Sequence, residues 1–140
     1  MIKIYTDAST KGNPGPTGIG IVIVTDQEHI QLSIPLLNDY TNHQAEFIAQ
    51  IIALDYIERH FDDQMLFLYT DSRITVQSIE KRYAKGFQSY VDQITPYFDH
   101  HPLWFIKWVP EKQNQGADHL ARQALQQHSN QAHPLNRYHY

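Results

Sequence analysis

Residues 65–71, Met-Leu-Phe-Leu-Tyr-Thr-Asp, end on the same three residues as 2–7, Ile-Lys-Ile-Tyr-Thr-Asp. Both runs are rich in strand-forming residues and both stop at an aspartate, Asp7 and Asp71. Side chains alternate along a strand. If the two strands are parallel neighbours in matching register, both aspartates point to one face at the carboxyl ends, the edge where open α/β sheets bind ligands. Singly, each is also an ordinary turn former or helix cap; the shared approach sets the pair apart.

Outward from these two runs, Lys11-Gly12-Asn13-Pro14-Gly15-Pro16 is a turn-rich stretch. Residues 18–25 read as a second strand buried on both faces, and 29–34 as a third after a turn at Asp26-Gln27. Such short connections give an antiparallel meander. Residues 42–59 read as a helix, with Thr41 as cap and Gln44 reaching back in a capping box. Its apolar residues cover nearly the whole circumference, which predicts a buried helix. After the fourth strand (65–70), a helix is expected over 72–82 and another over 87–98, the latter interrupted by Pro96. Leu103–Val109 reads as a fifth strand and 114–127 as a last helix, with Ala117, Leu120, Ala121, Ala124 and Leu125 in one stripe. Residues 128–140 are polar and without period, and are expected to be a mobile tail. The fold class is therefore α/β: a five-stranded mixed sheet, its first three strands antiparallel and strands one, four and five parallel, with helices on both faces.

The 140 residues suit one domain, here 1–127 plus the tail. Hydrophobic residues make up 41%, enough for a folded core. With no cysteine, disulfides, zinc–thiolate centres and thiol nucleophiles are excluded. No leader-like segment and no apolar run of bilayer length is present; the expectation is a cytoplasmic protein with no membrane association, working as a monomer. The net charge of −4 argues against nucleic-acid binding through bulk positive charge, but carboxylates that hold divalent cations would be offset by them.

Two further acids join the pair. Glu46 falls in what reads as the first turn of the buried helix. It could complement the helix dipole there, yet its neighbours are apolar and an unpaired buried carboxylate is costly. Asp118 lies one turn after Asn114, on the same helix face, and is again compatible with a dipole role. Four carboxylates without a histidine or cysteine at fixed spacing fit magnesium or manganese better than zinc. Two such ions about 4 Å apart can activate a water and stabilise the leaving oxygen of a phosphodiester. Other candidates are weaker: the glycines of 12–15 lack the Gly-Lys-Ser/Thr of a P-loop, His100, His101 and His119 read as solvated, Asp55, Glu58 and Arg59 as an exposed helix end, and Trp104 and Trp108, on one face of the fifth strand, as core.

At these residues the sequence resembles the type 1 ribonucleases H. The segments that carry the resemblance are Tyr-Thr-Asp-Ala-Ser-Thr-Lys-Gly-Asn-Pro-Gly-Pro-Thr-Gly-Ile-Gly (5–20), Thr-Asn-His-Gln-Ala-Glu-Phe (41–47), Tyr-Thr-Asp-Ser (69–72) and Asn-Gln-Gly-Ala-Asp-His-Leu-Ala (114–121). Each alone is weak; in this order they are strong. The resemblance implies a ribonuclease H-like fold and hydrolysis of the RNA strand of RNA–DNA hybrids, leaving 5′-phosphate and 3′-hydroxyl ends. It implies two Mg2+ or Mn2+ ions held by Asp7, Glu46, Asp71 and Asp118 when substrate is bound. It also implies that Asn13, Thr41, Asn42 and Gln44 contact the hybrid, with Asn42 and Gln44 in the minor groove, where 2′-hydroxyls distinguish RNA, and Thr41 on a DNA phosphate. Ala8 and Ser9 would offer backbone groups to ribose hydroxyls, and Asn114 would orient Asp118.

Two departures stand out. The loop before Asp118, 109–114, is short and lacks the histidine many members carry, and only Lys81, Arg82 and Lys85 stand where some members have a basic protrusion. They motivate an alternative, a non-catalytic nucleic-acid-binding protein of the same fold; a nuclease of another RNA substrate is a third reading.

Overall fold

The structure, a computed structural model, describes residues 1–128. The expected tail therefore lies outside the described residues, except for His128, which ends the last helix.

Five strands form one sheet in the order β3-β2-β1-β4-β5: β1 Ile2–Thr10, β2 Thr17–Val24, β3 His29–Pro35, β4 Leu66–Thr70 and β5 Trp104–Trp108. β1–β2 and β2–β3 are antiparallel; β1–β4 and β4–β5 are parallel. The register pairs Tyr5 with Tyr69 and Thr6 with Thr70, so the two Tyr-Thr-Asp runs lie side by side in phase. β1 does not stop at Asp7. It continues to Thr10 because β2 keeps pairing with it, out to Thr10↔Thr17. β4 ends at Thr70, so Asp7 is the first β1 residue with no β4 partner, and its flank opens towards Asp71.

On one face, Ile2, Ile4, Ile19, Ile21, Ile23, Leu66 and Leu68 pack against α1 (Asn42–His60), with Ile79 of α2 (Arg73–Lys81) and Val91 and Ile94 of α3 (Gln88–His100) in the same core. α1 is buried all round over 47–54, as its composition requires. On the other face, α4 (Gln115–His128) lays Ala117 and Leu120 against Val22. Two glycines of β2 make that contact possible. A Cβ on Gly20 would lie 1.9 Å from the Ala117 carbonyl oxygen, and one on Gly18 2.4 Å from that of Ala121. Ser33 Oγ then donates to the Leu120 carbonyl at 2.7 Å.

Three expectations are corrected. Pro96 does not interrupt α3, which runs on to His100: proline removes one N–H donor, and the burial of Val91, Ile94 and Thr95 holds the helix across it. His101 is not solvated. It bridges Asp63 (Nδ1, 2.9 Å) and Glu58 (Nε2, 3.0 Å) and stacks on Trp104, ring centroids 3.7 Å apart. Trp104 is core, but Trp108, on the same face, lies beyond it: it is 37% exposed, with the Arg73 guanidinium 3.7 Å over its ring.

Candidate active site

Each acid reaches the carboxyl edge of the sheet by a different route. Asp7 is carried by β1 past the end of β4, and Asp71 follows the last β4 residue directly. Glu46 is the fifth residue of α1, in its second turn rather than its first, so the dipole explanation for it weakens. What fixes its place is the helix start: Thr41 Oγ1 accepts from Gln44 N at 3.3 Å and Gln44 Oε1 accepts from Thr41 N at 2.9 Å, the expected capping box.

Asp7, Glu46 and Asp71 each offer a carboxylate oxygen within 4.8 Å of the others. With no cation present the cluster is electrostatically unfavourable. Burial, reinforced by the charge of Asp71, pushes the Asp7 carboxyl up to about 8. Burial, then the charges of Asp7 and Asp71, push Glu46 well above the usual carboxylate range, and its Oε2 is enclosed with no hydrogen-bond partner. Asp71 is raised as well, by burial first; the Asn114 amide works in the opposite direction. Hard oxygen donors converging at this spacing fit Mg2+ or Mn2+, and the uncompensated repulsion is of the kind a divalent cation relieves.

Asp118 borders this group without joining it. Its charge is felt by both Asp7 and Asp71, while its carboxylate also accepts from Arg122 Nε at 3.2 Å. Asn114, buried just ahead of α4, donates from Nδ2 to the Thr6 carbonyl (2.8 Å) and reaches Asp71 Oδ2 (3.4 Å). Its side chain thus serves Asp71; its link to Asp118 is through the backbone, Asp118 N–H to Asn114 O, 3.1 Å.

The remaining expected residues line one rim. A bridge between Gly15 and Tyr40 ties the 11–16 turn to the residues before α1. Asn13 Oδ1 accepts there from Asn42 N at 3.0 Å, and the Thr10 hydroxyl donates to Asn42 Oδ1. Both asparagines are exposed and keep their NH2 groups as donors. Ala8 and Ser9 follow Asp7 on β1. Gln44 is tied to its cap, so its carbonyl oxygen is already used. Sequence reasoning missed Thr10 and Arg122; the latter was visible four residues after Asp118, on the same helix face.

The RNase H family model matches residues 1–126. This chain belongs to the ribonuclease H family. A protein of Enterococcus faecalis carrying the name "Putative hydrolase EbsB" is 49% identical over 129 residues, 90% of this chain and 95% of that one. The ribonuclease H of Desulforamulus reducens is 36% identical over 88 residues, 63% of this chain but only 53% of the relative, so that likeness spans about half of its length. Among solved structures, LC11 ribonuclease H1 in complex with an RNA/DNA hybrid superposes with a TM-score of 0.79 at 27% identity, covering 91% of this chain and 98% of that one. The family fold is the one the strand order shows, and β1, α1 and the residue after β4 of this ribonuclease H family member bring together Asp7, Glu46 and Asp71, three of the four acids expected from sequence.

Proposed function

We propose that the protein is a divalent-metal-dependent endonuclease that hydrolyses the RNA strand of RNA–DNA hybrids to 5′-phosphate and 3′-hydroxyl ends. The observation that carries this reading is the convergence of Asp7, Glu46 and Asp71 within 4.8 Å from three separate elements. Family membership and the hybrid-bound neighbour support the choice of substrate.

Asp7, Glu46 and Asp71 would hold the cations, with Asp118 completing the set from α4. Bound there, Mg2+ or Mn2+ ions supply a nucleophilic water at neutral pH and stabilise charge on the phosphodiester. The protein's own part is positioning. Asn114 links Asp71 to the Thr6 carbonyl of β1, beside Asp7. Asn13 and Asn42 present amide donors at the rim, suited to the 2′-hydroxyls and base edges of a minor groove. Ala8 and Ser9 offer backbone groups beside Asp7. Thr41 and Gln44 fix the start of α1; the Thr41 hydroxyl would serve a DNA-strand phosphate, and the Gln44 amide would join Asn42 towards the minor groove.

The test is cleavage of an end-labelled hybrid, alongside duplex RNA and single strands of the same sequence, with Mg2+, Mn2+ or EDTA. The expected result is metal-dependent cutting of the hybrid's RNA strand alone, abolished in a folded Asp71→Asn variant. Hybrid binding without product at any metal concentration would instead mark a binding protein of the same fold, and cutting of single-stranded or duplex RNA in preference would reassign the substrate.

A further inference from the structure

Gln50 lies on α1, one turn beyond Glu46, and is completely buried. Both its Nε2 and its Oε1 lack a hydrogen-bond partner. An unsatisfied buried amide is costly, and leucine or methionine would fill much the same volume without that cost. Apart from the Tyr40 hydroxyl, the enclosed side-chain atoms without a partner among the described residues belong to Glu46, Gln50 and Asn114. Two of these belong to or touch the carboxylate cluster. The other buried polar groups nearby are occupied: Thr6 Oγ1 donates to the Tyr69 carbonyl and Thr70 Oγ1 accepts from Ser72 N.

Geometry supplies the partner. Residues four apart on a helix are neighbours, their Cβ atoms about 6 Å apart. Side chains on a helix lean towards its N-terminus, so Gln50 leans back over the turn that carries Glu46. The orphaned atom of Glu46 is Oε2, an acceptor; Gln50 offers a donor with nothing else to serve.

We infer that Gln50 is a positioning residue for Glu46, its Nε2 donating to Glu46 Oε2, directly or through one buried water, when Glu46 engages a cation. The inference rests on the metal-binding reading above. Gln50 does not touch substrate; it sets the orientation of a ligand from behind, a role whose loss typically costs tenfold or more in metal affinity.

The test uses Gln50→Met, with Gln50→Leu as a second apolar replacement should the first fold poorly. Mn2+ binding to the substrate-free protein is measured by calorimetric titration, and unfolding by urea in EDTA. The expected result is Mn2+ binding weakened about tenfold with metal-free stability equal to or above that of the parent protein. Parent-like Mn2+ affinity in both variants would overturn the inference and leave the nuclease reading standing. So would metal-free stability that falls in step with affinity, the mark of a merely structural amide. Failure of the parent protein itself to bind Mn2+ would overturn both.

Discussion

Replacing Asp7 by asparagine is expected to stabilise the metal-free protein while removing its activity. In the folded chain the Asp7 carboxyl is pushed up to about 8, from an ordinary value of 3.8, by burial and by Asp71. The folded state therefore holds a proton that the unfolded chain releases above about pH 4. A carboxyl raised in this way contributes stability that is fully present below its unfolded value and is lost as pH rises through the folded one. At pH 7 the interval from 3.8, at about 1.36 kcal/mol per pH unit, sets an upper limit of roughly 4 kcal/mol. Glu46 and Asp71 share the same repulsion, so one substitution recovers about half, ~2 kcal/mol, or roughly 5–8 °C in melting temperature for a chain of this size. The assay is a set of thermal melts at pH 5, 7 and 8, in EDTA and in Mg2+. In EDTA the parent protein should lose stability from pH 5 to pH 8 and Asp7→Asn should lose less. In Mg2+ at pH 8 the parent should recover and the variant should not. A variant less stable than its parent in EDTA at pH 8, or equal Mg2+ stabilisation of the two, would refute the reasoning.

Gly20→Ala places a methyl 1.9 Å from the Ala117 carbonyl oxygen; forcing α4 off the sheet should cost about 2–3 kcal/mol in urea unfolding and reduce activity by shifting Asp118. Thr41→Ala removes the cap of α1, with an expected loss of about 1 kcal/mol and a higher KM for hybrid. His101 pays for burial, but Glu58 and Asp63 outweigh this and raise its pKa. Its contribution to stability is thus greatest below about pH 6.5 and fades as pH rises through the folded value, so the stability gap between the parent and His101→Gln should widen from pH 8 to pH 6.

Much of the site could be read from sequence because it rests on local signals. The phased Tyr-Thr-Asp runs imply parallel neighbours, and their register is set by the same alternation that buries Ile4 and Leu68. The capping box at Thr41 and Gln44 fixed where α1 begins, although Glu46 falls one turn later than expected. What could not be read depends on neighbours distant in the chain. β1 outruns Asp7 because β2 continues to pair with it. His101 is held by two acids contributed from the end of α1 and the turn after it, which no spacing reveals. Asn114 turns to Asp71 because Thr6, the last β1 residue paired with β4, offers a carbonyl to its amide. Pro96 and Gln50 each violate a local rule: packing against α1 offsets the first, and the second is the buried amide that we assign to Glu46.

A crystal soaked in MnCl2 and recorded at the manganese absorption edge puts the central claim to its most direct trial. The account predicts an anomalous peak in contact with carboxylate oxygens of Asp7, Glu46 and Asp71, absent from Asp7→Asn crystals. Ordered manganese elsewhere on the molecule, with nothing between those three side chains at saturating ion, would contradict it.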